Sequence, residues 1–394
     1  MTKIYLIRHA EAEGNLYRRS QGQYNSNVTA LGRRQIAALA ERFQDVHLDA
    51  LWSSDLYRTQ STAAAILKYH PELTLNLTPR LREIDVGVWE DRPWGNLAEE
   101  YPEQMYLFSN DPERWSVPGG EPYRDVAARI RSVVLELAAR YGGGTIAAVT
   151  HGLAVRALLC DIFGIPSDEI WRMPYGDNTS VTLLSVEGDT IRVDRYNDAS
   201  HLEAAGLSTF SRQGWRKAAE KPKAMPVYGV LHPLDPKESA GLYMRCYEST
   251  WLASHGDLRG FSPAVYQHTA EKHAARDAQC LMRLDFGGKF AGIVELDPDR
   301  GGESGAGWIS LIWIEPDMRH MRLGVQLIGH AVSYFRRKGR RALRLHVADT
   351  NEGAVGFYEN LGFRRIGAAQ GAVGTLYLME WDISRRVLTP EEIP

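Results

Sequence analysis

Cysteine is scarce in this sequence, with three residues among 394. Cys160, Cys246 and Cys280 lie far apart, and none has a CxxC neighbour or a histidine at metal-ligand spacing. This scarcity argues against a disulfide framework and against a structural zinc site. We expect reduced, mostly buried thiols and no bound metal.

Long apolar runs and a surplus of charge of one sign are also missing. The opening residues, Met-Thr-Lys-Ile-Tyr-Leu-Ile-Arg-His, are too briefly apolar for a secretory signal, and no run approaches the length of a membrane-spanning helix. A formal net charge of −3 gives no reason to expect binding to nucleic acid or to an anionic membrane. We therefore expect a cytoplasmic protein with neither kind of partner.

Buried strands alternate with helices over residues 1–205. Apolar positions at helical spacing predict helices at 30–43 and 124–141. The predicted strands are 3–7, 48–53, 75–77, 145–150, 181–185 and 191–196. Such an order predicts an α/β domain at 1–205 with a largely parallel sheet.

The pattern changes near residue 206. Residues 206–226 are polar, basic and without apolar periodicity, so they are predicted to be a linker. Strands with interspersed helices follow, which predicts an α+β or mixed-sheet domain at 227–383 and a tail at 384–394. The predicted elements are strands at 227–231, 278–284, 288–295, 307–314, 342–348, 363–368 and 374–381, and helices at 236–254, 263–275, 322–338 and 352–360.

Charged and polar residues stand just past several predicted strands of the first domain. The carboxyl ends of parallel strands gather along one edge of a sheet, and ligands bind at that edge. We therefore expect these residues to converge there: Arg8, His9, Arg58, His151 and Gly152.

This combination suits phosphoryl transfer. Arg8 and Arg58 can hold the equatorial oxygens of a phosphoryl group by bidentate hydrogen bonds. Their charge, and that of a protonated His151, disfavours protonation of His9 and keeps its imidazole nucleophilic. Attack on phosphorus forms a phosphohistidine and divides one hard displacement into two easier ones. Glu83 is the carboxyl best placed by sequence to protonate the leaving group and then to activate water.

The first domain resembles the histidine phosphatase superfamily, which contains the cofactor-dependent phosphoglycerate mutases. The resemblance implies a three-layer α/β/α fold, with His9 as phospho-acceptor, Glu83 as proton donor, and Arg8, Arg58 and His151 as phosphate ligands. It places Asn15, Gln21, Gly22 and Gly152 in the same pocket and calls for no cofactor. The motifs that carry it, between residue 3 and about 202, are Arg8-His9-Ala10-Glu11, Asn15, Gln21-Gly22, Thr29-Ala30-Leu31-Gly32, Ser53-Ser54-Asp55-Leu56-Tyr57-Arg58-Thr59, Leu81-Arg82-Glu83, Gly87-Val88-Trp89-Glu90, Val149-Thr150-His151-Gly152, Asn197-Asp198 and His201-Leu202.

The choice between mutase and phosphatase depends on the segment before the late helix. Glycolytic mutases carry a longer, basic and Pro-rich stretch there. Here residues 115–122 read Trp-Ser-Val-Pro-Gly-Gly-Glu-Pro, which is short and resembles the phosphatase branch. A phosphomonoesterase acting on a small phosphate ester is therefore favoured, with a mutase-type phosphotransferase as the alternative.

A second chemical pattern follows the predicted strand 307–314. A strand that feeds a glycine-containing turn and a helix N-terminus is a site for a pyrophosphate. Asn351 stands at a predicted N-cap, and Tyr358 on the helix after it could protonate a leaving thiolate.

Residues 227 to about 383 resemble the GNAT N-acetyltransferase family. The resemblance implies an α+β fold with a mixed, mostly antiparallel sheet. It also implies acetyl-CoA as cofactor, an amine as acceptor and Tyr358 as general acid. Arg322 replaces the first glycine of the family's Gln/Arg-x-x-Gly-x-Gly/Ala turn, and Glu295 is a weak candidate for the general base. The residues expected to bind the cofactor are Ile314, Arg319, Arg322, Leu323, Gly324 and Asn351.

Two motif sets on one chain predict a bifunctional enzyme, a phosphatase followed by an acetyl-CoA-dependent N-acetyltransferase. The alternative is a phosphatase joined to a GNAT module that senses acetyl-CoA or binds a partner without transferring acetyl groups. Arg322 motivates this alternative. The sequence names neither substrate.

Overall fold

A computed structural model describes residues 1–210, 227–371 and 373–393. The described residues of 1–92, 97–210 and 385–393 form one compact unit, and those of 93–96 and 227–384 form a second. Most of the predicted linker, from residue 211 to 226, lies outside the described residues.

The first unit is built on a six-stranded sheet. Its strands are β1 (Thr2–Arg8), β2 (Ala50–Ser53), β3 (Leu75–Leu77), β4 (Thr145–Thr150), β5 (Val181–Glu187) and β6 (Thr190–Asp198). They lie in the order β3-β2-β4-β1-β5-β6. The first four in that order are parallel, and β5 and β6 add an antiparallel edge. The largely parallel sheet predicted from the sequence is therefore confirmed.

Helices cover both faces of this sheet. On one face of the sheet, α2 and α3 pack against each other through their apolar sides. On the other face, α6 and α7 do the same. The helices of this half of the chain are α1 (Glu13–Tyr17), α2 (Ala30–Phe43), α3 (Tyr57–Tyr69), α4 (Trp94–Glu100), α5 (Pro102–Asn110), α6 (Tyr123–Arg140), α7 (Gly152–Phe163) and α8 (Ser200–Ala204). The apolar spacing did not predict α4 and α5, although Pro102 at the first helical position is a start signal for α5.

The second unit is built on a seven-stranded sheet. Its strands are β7 (Gly229–Pro233), β8 (Leu281–Phe286), β9 (Lys289–Asp297), β10 (Ala306–Ile314), β11 (Ala342–Ala348), β12 (Arg364–Gln370) and β13 (Thr375–Asp382). They lie in the order β12-β13-β11-β10-β9-β8-β7. Only β10 and β11 pair in parallel among these strands. The predicted mixed, mostly antiparallel sheet is confirmed.

Four helices of the second unit flank this sheet: α9 (Ala240–His255), α10 (Pro263–Arg276), α11 (Gly324–Arg337) and α12 (Glu352–Leu361). Residues Val325 to Phe335 of α11 are all buried. The helix lies so close to β10 that a Cβ on Gly307 would overlap the Phe335 ring. This close contact holds β10 against α11.

Candidate functional site

His9, the predicted nucleophile, and His151 directly follow two adjacent strands of the first sheet. β1 and β4 pair in parallel with Arg8 opposite Thr150, so the next residues, His9 and His151, stand side by side. Their ring centroids are 5.3 Å apart. The convergence predicted from strand ends is therefore what the register of β1 and β4 produces.

The His9 ring is held in one orientation. Its Nδ1 lies 2.7 Å from the carbonyl oxygen of Ala10, which can only accept, so Nδ1 carries the proton and Nε2 keeps its lone pair. His9 is only 3% exposed. Burial, followed by the charges of Arg58 and Arg8, lowers its pKa well below the ordinary value. The ring is therefore neutral at physiological pH.

His151 is also neutral, which differs from the protonated form considered from the sequence. Burial, followed by Arg58 and His9, lowers its pKa well below the ordinary value. The Ser54 hydroxyl accepts from the Leu56 N–H at 3.3 Å and lies 3.0 Å from His151 Nε2. The direction of this hydrogen bond depends on which ring nitrogen of His151 carries the proton.

Two arginines supply the positive charge, the buried Arg58 and the half-buried Arg8. Arg58 is fully buried and donates to the carbonyls of Tyr24, Gln21 and Gly22 at 2.9, 3.1 and 2.7 Å. Burial lowers the pKa of Arg58 to about 10 and also lowers the pKa of Arg8, so Arg58 stays charged at neutral pH. A Cβ on Gly152 would lie 3.1 Å from Arg8 Nε, so this glycine lets the first turn of α7 approach Arg8.

Three buried nitrogens of this cluster have no hydrogen-bond partner within the described residues: Arg8 Nε, Arg58 Nε and His151 Nδ1. Leaving a buried donor unpaired costs about 1–3 kcal/mol. All three belong to side chains around the His9 ring. An oxyanion with several acceptor oxygens satisfies such donors, and a phosphoryl group is one.

Glu83 lies at the N-terminus of α7. Its two carboxylate oxygens accept the N–H groups of Leu153 and Ala154, each at 2.9 Å. The Arg129 guanidinium donates to the Glu83 carbonyl at 3.0 Å and holds the backbone on the other side. Glu83 is thus placed beside Gly152, at the same helix end as His151.

The other predicted pocket residues support the loop that receives Arg58. Asn15 Oδ1 accepts from the Ala12 N–H at 3.1 Å, and Gln21 Oε1 accepts from Ser26 at 2.7 Å. Gln21 and Gly22 reach Arg58 through their carbonyls, not through side chains. The place of Gln21 and Gly22 in the pocket stays a prediction, and their observed contact is with Arg58, the predicted phosphate ligand.

Several supporting residues were missed by reasoning from the sequence. Glu90 accepts the N–H groups of Gln23 and Tyr24 at 2.6 and 2.9 Å, which shapes the loop around Arg58. Asn178 donates to the His9 carbonyl at 3.0 Å. Glu90 lies inside a recognised motif, whereas Asn178 carries no local signal because its partner is 169 positions away.

Trp89, in the motif Gly87-Val88-Trp89-Glu90, is fully buried. It packs against the rings of Tyr101, Phe108 and Trp115 at centroid distances of 5.5 to 5.9 Å. Trp89 is therefore a core residue of this part of the domain.

In the second unit, the turn before α11 has an unusual backbone. His320 and Arg322 have φ values of +64° and +61°, in the left-handed region that favours glycine. Arg322 thus adopts the conformation that a glycine would take at this position. Arg319 Nε donates to the Ile314 carbonyl at 3.2 Å, and the helix starts at Gly324 after the buried Leu323. Turns of this kind turn backbone N–H groups towards an anion.

β10 and β11 separate at this end of the sheet. Their parallel register stops at Ile309 opposite Leu345, although β10 continues to Ile314 and β11 to Ala348. A bulge at Ser310 on the β9 side accompanies the separation. The two strands therefore leave a gap beside the turn of Arg322, where an extended ligand can enter.

Asn351 and Tyr358 belong to the helix after β11. Asn351 Oδ1 accepts the Ala354 N–H at 3.1 Å, so its side chain is the predicted N-cap of α12. Tyr358 is 8% exposed and packs against Phe357 and Phe363, and burial raises the pKa of its phenol. The phenol therefore keeps its proton.

Glu295, the candidate base, is 1% exposed. Its carboxylate accepts from the Tyr243 hydroxyl and pairs with His273 Nδ1, each at 2.7 Å. Asp297 lies 3.5 Å from the other ring nitrogen of His273. Both Glu295 oxygens are thus bound inside the unit, which argues against direct contact with an amine.

Two family models match the chain. The histidine phosphatase superfamily (branch 1) matches residues 4–199, and the acetyltransferase (GNAT) family matches residues 240–363. Phosphoserine phosphatase 1 of Hydrogenobacter thermophilus is 30% identical over 202 residues, which are 51% of this chain and 95% of that protein. The probable phosphoglycerate mutase GpmB of an Enterobacter species is 31% identical over 217 residues, 54% of this chain and 100% of that protein.

A solved structure, Bacillus stearothermophilus YhfR, aligns with a TM-score of 0.50 and 32% identity, covering 51% of this chain and 100% of that one. Within the described residues, no helix is long and apolar enough to cross a membrane, and no three His, Cys, Asp or Glu side chains gather as metal ligands. The GNAT match implies use of acetyl-CoA or another acyl-CoA in general. The chain belongs to the histidine phosphatase superfamily through its first half and carries a GNAT acetyltransferase domain in its second.

Proposed function

We propose that the first domain is a phosphomonoesterase that works through a phosphohistidine on His9. The observation that carries the proposal is the free Nε2 lone pair of a neutral, buried His9 in a cluster with three unpartnered buried nitrogens, on Arg8, Arg58 and His151. A nucleophile and an anion site then share one small space. This arrangement supports in-line attack on a phosphate ester.

The reaction has two displacements. Arg8, Arg58 and His151 hold the nonbridging oxygens while His9 Nε2 attacks phosphorus. The P–N bond forms, the bond from phosphorus to the ester oxygen breaks, and Glu83 gives its proton to that oxygen. Glu83 then takes a proton from water, whose oxygen attacks phosphorus. The P–N bond breaks, and inorganic phosphate leaves.

The short segment 115–122 supports a hydrolase over a mutase. The relatives include one phosphatase and one probable mutase by name, so both reactions are measured together. The test incubates the full chain with phosphoserine, 3-phosphoglycerate and p-nitrophenyl phosphate. We expect release of inorganic phosphate and an acid-labile phosphoenzyme. Isomerisation of 3-phosphoglycerate without phosphate release would replace the phosphatase with the mutase alternative.

We propose that the second domain is an acetyl-CoA-dependent N-acetyltransferase. Acetyl-CoA, when bound, supplies a thioester that an amine can attack. The turn at Arg319, Arg322 and Gly324 would hold the pyrophosphate through backbone N–H groups, and the buried Leu323 anchors that turn in the core. Ile314 ends β10, and Asn351 caps α12, the helix that follows β11. Tyr358, whose phenol keeps its proton, is the general acid for the departing thiolate.

The positive φ of Arg322 supports binding of acetyl-CoA, because the backbone of the turn keeps the glycine-like conformation. The replacement of glycine by Arg322 is therefore no argument for the sensing alternative. Calorimetry with acetyl-CoA tests binding, and a panel of small amines with thiol detection tests transfer. We expect binding and turnover with at least one amine. Binding with no turnover across the panel would favour the alternative, an acetyl-CoA sensor.

A further inference from the structure

The last described residues of the chain belong to the phosphatase unit. Residues 385–393 follow β13 in sequence, yet they pack within the first unit. Leu388 and Ile393 are 5% and 6% exposed and join the core cluster that contains Ile7 and Ala10, the neighbours of Arg8 and His9. The predicted tail therefore packs on this domain and is anchored in its core by two buried side chains, Leu388 and Ile393.

Polar contacts tie the same segment to α3, the helix whose first turn carries Arg58. The Leu388 N–H donates to the Ser61 hydroxyl at 2.9 Å. Lys68 at the other end of α3 donates to the Ile393 carbonyl at 3.2 Å. A buried backbone group that is paired in this way fixes the register of the segment along the helix.

Arg385 continues these contacts to the loop that holds Arg58. Its guanidinium donates to the Tyr24 hydroxyl at 2.6 Å and lies 4.4 Å from the centre of the Tyr24 ring. The next residue, Arg386, donates its N–H to Asn27 at 3.0 Å. The carbonyl of Tyr24 accepts from Arg58 Nη1, and its N–H donates to Glu90.

We propose that residues 385–393 are a positioning segment of the phosphatase site, in which Arg385 holds Tyr24 and, through the Tyr24 carbonyl, the guanidinium of Arg58. The inference rests on the proposed phosphatase function. Arg385 touches no reacting atom, and its effect is on the placement of a phosphate ligand. The matched family segment ends at residue 199, so this contact is an addition made by the far end of the chain.

The experiment compares Arg385→Ala, Arg385→Lys and the control Arg131→Ala in the full chain. Arg131 is a partly exposed arginine on α6 whose ion-pair partner is Asp161. We measure kcat and KM for p-nitrophenyl phosphate, the inhibition constant of inorganic phosphate, and Tm. A cation–ring contact of this size predicts that Arg385→Ala raises KM and the inhibition constant about two- to fivefold with little change in Tm. Arg385→Lys should recover most of the loss.

Equal constants for Arg385→Ala and Arg131→Ala would overturn the positioning role. A chain ending at Ser384 gives a second readout, since we expect faster amide hydrogen exchange at residues 21–27 and in α3, reversed by a synthetic 385–394 peptide. Unchanged exchange would also overturn it. Failure of the proposed function would look different: the parent chain would show no turnover that depends on His9, while the exchange measurement would still report on the segment.

Discussion

The two halves of the chain hold their candidate sites by different means. In the first, side chains make up the candidate site: His9, His151, Arg8 and Arg58, each held by hydrogen bonds or burial. In the second, backbone features make up the candidate cofactor site, namely the turn at Arg322 and the gap between β10 and β11. A site made of side chains loses function when one of them is substituted, whereas a site made of backbone N–H groups tolerates changes of residue type.

Removal of His9 should give the largest loss. His9→Ala takes away the nucleophile, so phosphate-ester hydrolysis should fall by about four orders of magnitude or more. Initial rates of phosphate release measure it. His47→Ala, which changes an exposed histidine, is the matched control. Hydrolysis that survives His9→Ala at the parent rate would contradict the phosphohistidine mechanism.

Removal of one phosphate ligand should cost less. Arg58→Ala takes a fixed cation from the transferring group and should lower kcat by about 10²- to 10³-fold, as with the loss of one preorganised donor. Arg131→Ala serves as the control. If the two sites are independent, acetyl-CoA affinity measured by calorimetry on the same variant should not change.

The second site should be less sensitive to a side-chain change. Tyr358→Phe removes the proposed acid and should lower the acetyl-transfer rate about 100-fold while leaving acetyl-CoA affinity unchanged, because the backbone holds the cofactor. Tyr377→Phe on β13 is the control. A loss of affinity in place of rate would show that Tyr358 binds and does not act as an acid.

Acid should weaken the first unit more than the second. Burial lowers the pKa of His201 to about 4 and keeps the pKa values of His9 and His151 well below the usual value. As pH falls below about 6.5, these histidines take up protons in the unfolded chain before they do so in the folded one, which favours unfolding. Each such histidine costs about 2 kcal/mol of unfolding free energy by pH 5. In the second unit, burial also lowers the pKa of His346.

The pKa of His273 shifts the opposite way. Burial lowers this pKa, but the hydrogen bond and charge of Glu295 raise it by more, so the net shift is upward. Protonated His273 therefore stabilises the folded form, and this stabilisation is fully present below about pH 6.5. Hydrogen exchange followed by mass spectrometry from pH 7 to 5 separates the two units. His201→Gln should make the first unit less sensitive to acid than the parent, and His47→Gln should not. Equal acid sensitivity of both units would break this part of the comparison.

The smallest effect concerns the turn before α11. The left-handed backbone at position 322 costs an arginine about 1–2 kcal/mol, and Arg322→Gly removes that cost. Glycine also increases the conformational entropy of the unfolded chain, which lowers the unfolding free energy by about 0.4–1 kcal/mol. Unfolding free energy should therefore rise by about 0.5–1 kcal/mol. Arg319→Gly is the control, since Arg319 has φ −64° and should lose stability. Measured acetyl-CoA affinity should stay the same if only N–H groups bind the pyrophosphate.

Local pattern and motif order were sufficient for most elements of both folds. β4 and β11 begin and end where the apolar runs predict, and α2 matches its periodic stretch, because a few neighbouring residues decide strand or helix. The strand-end argument also brought His9, Arg58 and His151 to one edge, since parallel strands leave no other place for them. The helices α4 and α5 were missed because the apolar positions in that stretch give no helical period.

What the tertiary structure decided depends on contacts between distant positions. The proton position on His9, the neutral state of His151 and the enclosure of Glu295 by Tyr243 and His273 follow from burial and from partners on other elements. The sequence by itself identified the two domain types and predicted the residues of the candidate phosphate-transfer site. Only tertiary packing brings the Leu388 N–H to the Ser61 hydroxyl, 327 positions away in the sequence. No local stretch of sequence contains both partners of such a contact, so the sequence pattern could not predict it.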